Sequence, residues 1–173
     1  MLLASFNRLL LGNGYKDVSV RELTADADVG RSTFYEHFAD KDDLLEQSIA
    51  RPLAVLAAAT TSGAPSDALR DVLTHIRAQR MLASALLQSS RRAIMIRVLA
   101  RKLERHLAAL ARRSATPPIA PLAFLAASLA HAQLGVVDAW LSDDGRCDVQ
   151  TAACVLHATT RASVAGMFGS SGR

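Results

Sequence analysis

Aromatic side chains are scarce in this chain of 173 residues, at 5% with a single tryptophan, and strand-forming runs are few. Alanine and leucine fill the space instead, so an all-helical protein is expected. Cysteine is nearly missing. Cys147 and Cys154 sit in no CxxC pair, which excludes a disulfide framework and a structural zinc site and fits the reducing cytoplasm. His75, His106, His131 and His157 lack metal-ligand spacing, and no HExxH occurs. Glu104 and His106 lie on different faces of one helix, so they make no acid–base dyad. There is no Gly-rich phosphate loop, nucleophile elbow or carboxylate pair. Neither an enzyme nor a bound metal or cofactor is expected. Charge is missing from residues 119–137, a length near that of a membrane span. Pro121, His131, Gln133 and many alanines make it a buried or intersubunit helix rather than a membrane segment. Residues 1–11 are apolar but hold Asn7 and Arg8, with no basic start and no small-residue cleavage site, so no signal peptide is expected.

Hydrophobic residues make up 50% of the chain and charged residues 21%, the balance of a folded protein. The net charge of +4 is unevenly laid out. Residues 1–50 hold 5 Lys/Arg and 9 Asp/Glu, whereas residues 77–113 hold ten Lys/Arg and the single acid Glu104. These arginines read first as a solvated helix face, with an anionic effector pocket or a polyanion surface as functional alternatives.

Helices are expected over 1–11, 19–26, 31–37, from 41 to 50 and on to 60, 66–88, 91–113, 119–141 and 148–168. The first starts without a cap or polar lead-in, which reads as the loss of an upstream turn; Gly12-Asn13-Gly14 ends it. Ser19-Val20-Arg21-Glu22 is a capping box. Asp40 caps the fourth helix, and Pro52 should kink or end it. Gly63, Pro65, Ser89-Ser90, Thr116-Pro117-Pro118 and the run 142–145 mark breaks.

Residues 18–45 carry the sharpest signal. Two helices of about seven residues flank a four-residue turn, which is helix-turn-helix spacing. Leu23 and Ala27 face Val29 and Phe34, and Phe34 and Phe38 anchor the inner side of the second helix. Ser32, Thr33 and Glu36 then point outward to base edges, with Arg31 and Tyr35 on one flank and His37 on the other. Lys41 begins the next helix, where backbone N–H groups favour a phosphate.

Gly14-Tyr15, Val20-Arg21-Glu22-Leu23, Thr33-Phe34-Tyr35-Glu36-His37-Phe38 and Asp40-Lys41-Asp42-Asp43-Leu44-Leu45 resemble the TetR family of transcriptional regulators. The resemblance covers about 35 residues. It implies a homodimer that binds double-stranded, palindromic operator DNA, most often as a repressor, and releases it when a small molecule enters the C-terminal region. It also implies phosphate contacts from Ser19, Tyr35, His37 and Lys41, with Arg31, Ser32, Thr33 and Glu36 at the variable base-reading positions. The chain departs from the family pattern at Asp28, where glycine is common, and at Gly30, where serine or threonine is common.

Two domains are expected, a three-helix DNA-binding head over 1–45 and an all-helical effector-binding and dimerisation domain over 46–173. Ala126, Ala130, Ala153 and Leu156 are assigned to the dimer interface, since small residues permit close helix approach. Met81, Met95, His131 and Trp140 are placed at the wall of a pocket for an unknown, mainly apolar effector, with or without an acidic group. An acidic head also fits a relative that has given up DNA and binds small molecules or partners; operator binding separates the two.

Overall fold

The computed structural model describes residues 2–6, 8–9, 18–61, 63–143 and 146–168. Residues 10–17 fall outside them, and with them the expected Gly12-Asn13-Gly14 stop and the Gly14-Tyr15 pair. The described residues are helical at 2–6 and 8–9, here α1. There follow α2 (Val20–Asp26), α3 (Arg31–His37), α4 (Lys41–Ala58), α5 (Asp67–Ala78), α6 (Arg80–Leu87), α7 (Arg92–Ala111), α8 (Leu122–Leu141) and α9 (Val149–Met167). No strand occurs among the described residues, so the all-α expectation holds.

Local chemistry sets most boundaries. Ser19 Oγ accepts the Glu22 N–H at 3.1 Å, and the Glu22 carboxylate accepts the Ser19 N–H at 2.9 Å. That reciprocal box starts α2, and such a cap contributes about 1 kcal/mol. Asp40 caps α4 through the Asp43 N–H, Ser66 caps α5 through the Leu69 N–H, and Asp148 caps α9 through the Thr151 N–H.

Three expectations change. Pro52 lies inside α4 without ending it. The single helix expected over 66–88 divides at Gln79, whose ψ of 34° leaves the helical range and serves as the end of α5 and the start of α6. The helix expected from 119 begins at Leu122, because Pro121 is extended and the Ile119 N–H is taken by the Met167 carbonyl at 2.9 Å.

One continuous core runs from Phe6, Leu23 and Phe34 through Leu44 and Leu45 to Met167. α7 is its axis. It buries Ile94, Val98, Leu99, Leu103 and Leu107, each worth roughly 1.5–3 kcal/mol for a fully buried side chain. The most extensive contacts join α7 to α8 and then α4 to α7. α8 is long and apolar enough to cross a membrane by composition, but one side of it is packed into this core through Leu125, Leu129, Leu134 and Val137. Gln133 pins three helices together. Its amide donates to the Leu56 carbonyl of α4 at 3.1 Å and to Thr160 Oγ1 of α9 at 3.0 Å.

The basic stretch is not a bare solvated face. Arg91 pairs with Asp42 at 2.8 Å, Arg97 and Arg101 both reach Glu46, and Arg92 reaches Asp138 at 3.2 Å. Arg77 lies over the Trp140 ring, 5.2 Å from its centroid. The acids near the start of α4 and the arginines of α7 are thus complementary layers, which accounts for much of the uneven charge along the chain.

Candidate nucleic-acid interface and effector cavity

The residues 27–30 set α3 at its angle to α2. Ala27 closes α2, and Asp28 then takes a φ of 52°. This left-handed backbone costs a residue with a Cβ free energy that glycine avoids. It gives a physical reason for glycine at that position, and aspartate is among the side chains that tolerate it. Gly30 precedes α3 with no side chain to cap it.

Phe34 is the inner anchor of α3. It is fully buried, and its ring contacts Phe38 at 5.5 Å and the edge-on ring of Tyr35 at 5.3 Å. With that side fixed, Arg31, Ser32, Thr33, Tyr35, Glu36 and His37 are all exposed on the rest of α3. Tyr35 is 54% exposed despite its size. The Arg31 guanidinium has no partner among the described residues, so its five donors remain open to a base edge or phosphate.

Ser19 and Lys41 stand differently. The Ser19 hydroxyl donates to Glu22 Oε2 at 2.8 Å while accepting the Glu22 N–H. The Lys41 ammonium donates to the Val18 carbonyl at 2.6 Å. The Ser19–Glu22 pair closes the start of α2, and the Lys41 bond ties the entry to α2 to the start of α4. A phosphate would have to share these groups or displace their present partners. The Ser19 N–H and then its hydroxyl hold the Glu22 carboxyl below its ordinary value. The guanidinium of Arg8, from α1, does the same for Asp26 at the end of α2.

A second feature lies in the body. α4, α5, α6, α7 and α8 line a partly open cavity of about 150 Å³. Its deep wall includes Leu53, Leu56, Leu87 and Leu134, all buried, and its more exposed lining includes Ser48, His75 and Gln79. Of the four residues assigned to the pocket wall, Met95 lines it. Met81 is 75% exposed on the outer face of α6, and His131 is exposed on α8. Trp140 is buried elsewhere, its indole N–H donating to the Cys147 carbonyl at 3.0 Å. Helical spacing marked Met81 and His131 only as periodic positions, and which face turned inward depended on the break at Gln79 and on the packing of α8. No arginine or lysine lines the cavity, because α7 spends several of its arginines on Asp42, Glu46 and Asp138. An acidic group on the effector would meet no lysine or arginine there.

The residues that sequence reasoning missed are Ser48, Pro52, His75, Gln79 and Leu134. The signal available for them was the α5 pattern, where Leu69 and Leu73 point inward and His75 and Gln79 fall at the edge of that stripe.

Ala126, Ala130 and Ala153 are 0% exposed and Leu156 is 1% exposed within a single chain. Their small size lets α8 approach its neighbours α7 and α9 inside the subunit, so they do not form the surface assigned to them. The outward side of the same helices carries Phe124, 65% exposed, and Val155, 44% exposed, together with Ser128, His131, Ala132, Ala139, Ala158 and Ala162. A Cβ built on Gly135 meets nothing within 4 Å among the described residues. α8 and α9 contain one formally charged residue each, Asp138 and Arg161.

Residues 2–47 match the family described as bacterial regulatory proteins, tetR family. Over nearly its whole length the chain is similar to solved structures. The fatty acid degradation regulator FadR from Bacillus halodurans has a TM-score of 0.60 at 15% identity, over 95% of this chain and 97% of that one. The dihydroxyacetone kinase operon activator DhaS gives 0.55 at 14%, over 94% and 93%. RolR without ligand gives 0.53 at 18%, over 97% and 96%. At these identities the likeness is one of fold. No curated protein matches the chain by sequence.

Proposed function

The chain is a TetR-family transcriptional regulator, with the family's head at residues 2–47, and from that premise we propose that it is a cytoplasmic, homodimeric repressor of a palindromic operator. The observation that carries this reading is α3, whose polar face of Arg31, Ser32, Thr33, Tyr35, Glu36 and His37 is exposed around the buried Phe34. Ser32, Thr33 and Glu36 read bases together with Arg31. Tyr35 and His37 grip phosphates, joined by Ser19 and Lys41 once DNA draws them from their present partners. The head ends near residue 45, and the remainder binds effector and partner. The chemistry is recognition and not catalysis.

The dimer forms through the exposed side of α8 and α9, centred on Phe124, Ala132, Gly135, Val155 and Ala158. This face is nearly free of charge, and its small residues allow two helix pairs to pack as a four-helix bundle. Two recognition helices then meet half-sites about 34–36 Å apart.

The cavity is the effector site. Leu45, Ile49, Leu53 and Leu56 line it from α4, the helix whose first two turns join the head and hold Asp42 and Glu46 against the arginines of α7 and its N-terminus. A ligand that spreads α4 from α7 changes the angle of α3 through this one helix. It weakens DNA binding only by its preference for the DNA-incompetent spacing, and operator weakens ligand binding by the same factor. The test is selection of duplexes from a random pool by the full chain, followed by footprinting. Two protected half-sites related by a dyad support the reading. No enriched sequence and no protection would refute it and favour a relative that binds ligands or partners without DNA.

A further inference from the structure

The basic side chains of α7 are matched by acids near its N-terminal end and left unmatched near its middle. Arg91 pairs with Asp42, and Arg97 and Arg101 share Glu46. Asp43, a further acid of α4 on that side, accepts the Ala39 N–H at 2.9 Å. Beyond Glu46, the residues of α4 along the seam with α7 are Gln47, Ala50 and Ala54, while α7 continues with Lys102 and Arg105. Among the described residues, neither Lys102 nor Arg105 makes a hydrogen bond or an ion pair. Glu104 does not serve them. At about 100° per residue it stands roughly 160° around α7 from Lys102 and about 100° from Arg105.

Lys102 and Arg105 line two adjoining depressions along this seam. Asp43 and Glu46 line the one nearer the head. The other, an open depression of about 410 Å³, is lined by Lys102, Arg105 and His106 over Ala54 and Ala109, with no carboxylate. Burial, then the Arg105 charge, hold the His106 pKa below its ordinary value, so this histidine is largely neutral at pH 7. The two positive charges are those of Lys102 and Arg105, three residues apart on one side of α7, where like charges repel. An anion between them removes that repulsion. The depression is separate from the effector cavity. Ile49, Pro52, Leu53 and Leu56 line the cavity, whereas Gln47, Ala50 and Ala54 line the seam, and helical spacing puts these sets on opposite sides of α4.

We propose that this basic depression is a second ligand site, which holds a small molecule by a phosphate or diphosphate group between Lys102 and Arg105. A carboxylate has two oxygens, and one arginine fork engages both. A phosphate has a further oxygen, so it accepts from the Arg105 fork and from the Lys102 ammonium at once. Operator phosphates are poorly placed for the same role. Ala54 lies 13 residues along α4 from Lys41, roughly 20 Å at 1.5 Å per residue, and Asp43 and Glu46 stand between them. The site depends neither on the reading of the cavity nor on DNA binding by α3.

Inorganic pyrophosphate and citrate, small polyanions of similar charge, test this by isothermal titration of the full chain at about 0.15 M salt, where distant surface charges are screened. Pyrophosphate should bind at least about fivefold tighter than citrate. Lys102→Gln and Arg105→Gln should each weaken pyrophosphate by roughly fivefold or more, as for loss of a charge-assisted hydrogen bond. Arg146→Gln removes the same charge from an exposed turn elsewhere and should change the affinity less than about twofold. Ala54→Glu, at an exposed position on the floor, should abolish binding by placing a carboxylate in the site. Thermal unfolding of each variant establishes that it is folded. Citrate binding as tight as pyrophosphate would overturn the phosphate assignment. An equal loss from Arg146→Gln would reduce the effect to attraction by the net charge, and binding that survives Ala54→Glu would put the ligand elsewhere. Absence of pyrophosphate binding to folded wild type would also overturn the proposal. Duplex binding is measured on the same variants. Unchanged duplex affinity supports a separate small-molecule site, whereas a loss of duplex binding from Lys102→Gln and Arg105→Gln equal to that of pyrophosphate would assign both residues to DNA and overturn it.

Discussion

Ala158→Glu should separate the proposed dimer into folded monomers. Ala158 is exposed on the outward side of α9, in the stripe with Val155 and Ala162, so a single chain tolerates a glutamate there. In a two-fold interface the same substitution occurs twice. Each carboxylate would be buried against Phe124, Ala132 or Gly135 of the bundle, with Arg161, exposed three residues on along α9, as the one formally basic residue of these two helices. An uncompensated buried charge costs about 3 kcal/mol or more. Two of them total about 6 kcal/mol, roughly a 10⁴-fold rise in Kd. Nanomolar dimers would become monomers at the micromolar concentrations used in sedimentation velocity, with the helical circular dichroism unchanged. Ala126→Glu is the contrast. Ala126 is 0% exposed inside the subunit, so this change should unfold the chain or lower its Tm sharply, not release a folded monomer. An Ala158→Glu protein that sediments as the wild type, while wild type is a dimer, would refute the placement of the interface. A folded, monomeric Ala126→Glu would refute the corrected orientation of α8.

Other substitutions probe the fold and its charges. Asp28→Gly should stabilise, because the left-handed cost of roughly 1–2 kcal/mol exceeds the extra unfolded freedom of glycine, about 0.5–1 kcal/mol. A Tm higher by about 1–3 °C is expected, and a lower Tm would contradict the strain assigned to that turn. Gln133→Leu should stay within about 1 kcal/mol of wild type in urea unfolding, since it removes two hydrogen bonds together with a buried amide oxygen that has no hydrogen-bond partner among the described residues; a loss of several kcal/mol would show that the amide bonds dominate. Burial, then the nearby Arg105 charge, hold the His106 pKa below its ordinary 6.5. Its contribution to stability is therefore complete above that pH and falls as pH drops towards the folded value, where the unfolded chain takes the proton first. His106→Asn should flatten that part of the Tm–pH curve, and an unchanged curve would remove His106 as its source.

The helix-turn-helix was legible because its signals are local. The Ser19–Glu22 box, the Asp40 cap and the spacing of Phe34 and Phe38 each act within a few residues, and α2 and α3 fall where those signals place them. The break at Gln79 was not legible, since no glycine or proline marks it and α5 and α6 read as one periodic run. Small residues gave close approach correctly but not its partner. Ala126 and Ala153 meet helices of their own chain, and only tertiary packing decides which side of an alanine-rich helix that is. Met81 and His131 fall outside the cavity for the same reason. The charge asymmetry needed contacts across some fifty residues, from Asp42 and Glu46 to Arg91, Arg97 and Arg101, which no local window contains.

Fluorescence anisotropy of the full chain on a duplex enriched from the random pool tests DNA recognition by α3 most directly, titrated at several salt concentrations beside Arg31→Ala and Tyr35→Ala. Affinity should fall linearly on a log–log plot with salt, with a slope of about −0.9 for each phosphate neutralised. Arg31→Ala should lose about 1–3 kcal/mol on the selected duplex and less on a duplex changed at one base pair, as for a bidentate contact to a base. Tyr35→Ala should weaken both duplexes alike. Equal binding by wild type and Arg31→Ala on the selected duplex, or no binding by wild type at low salt, would contradict the role given to this helix.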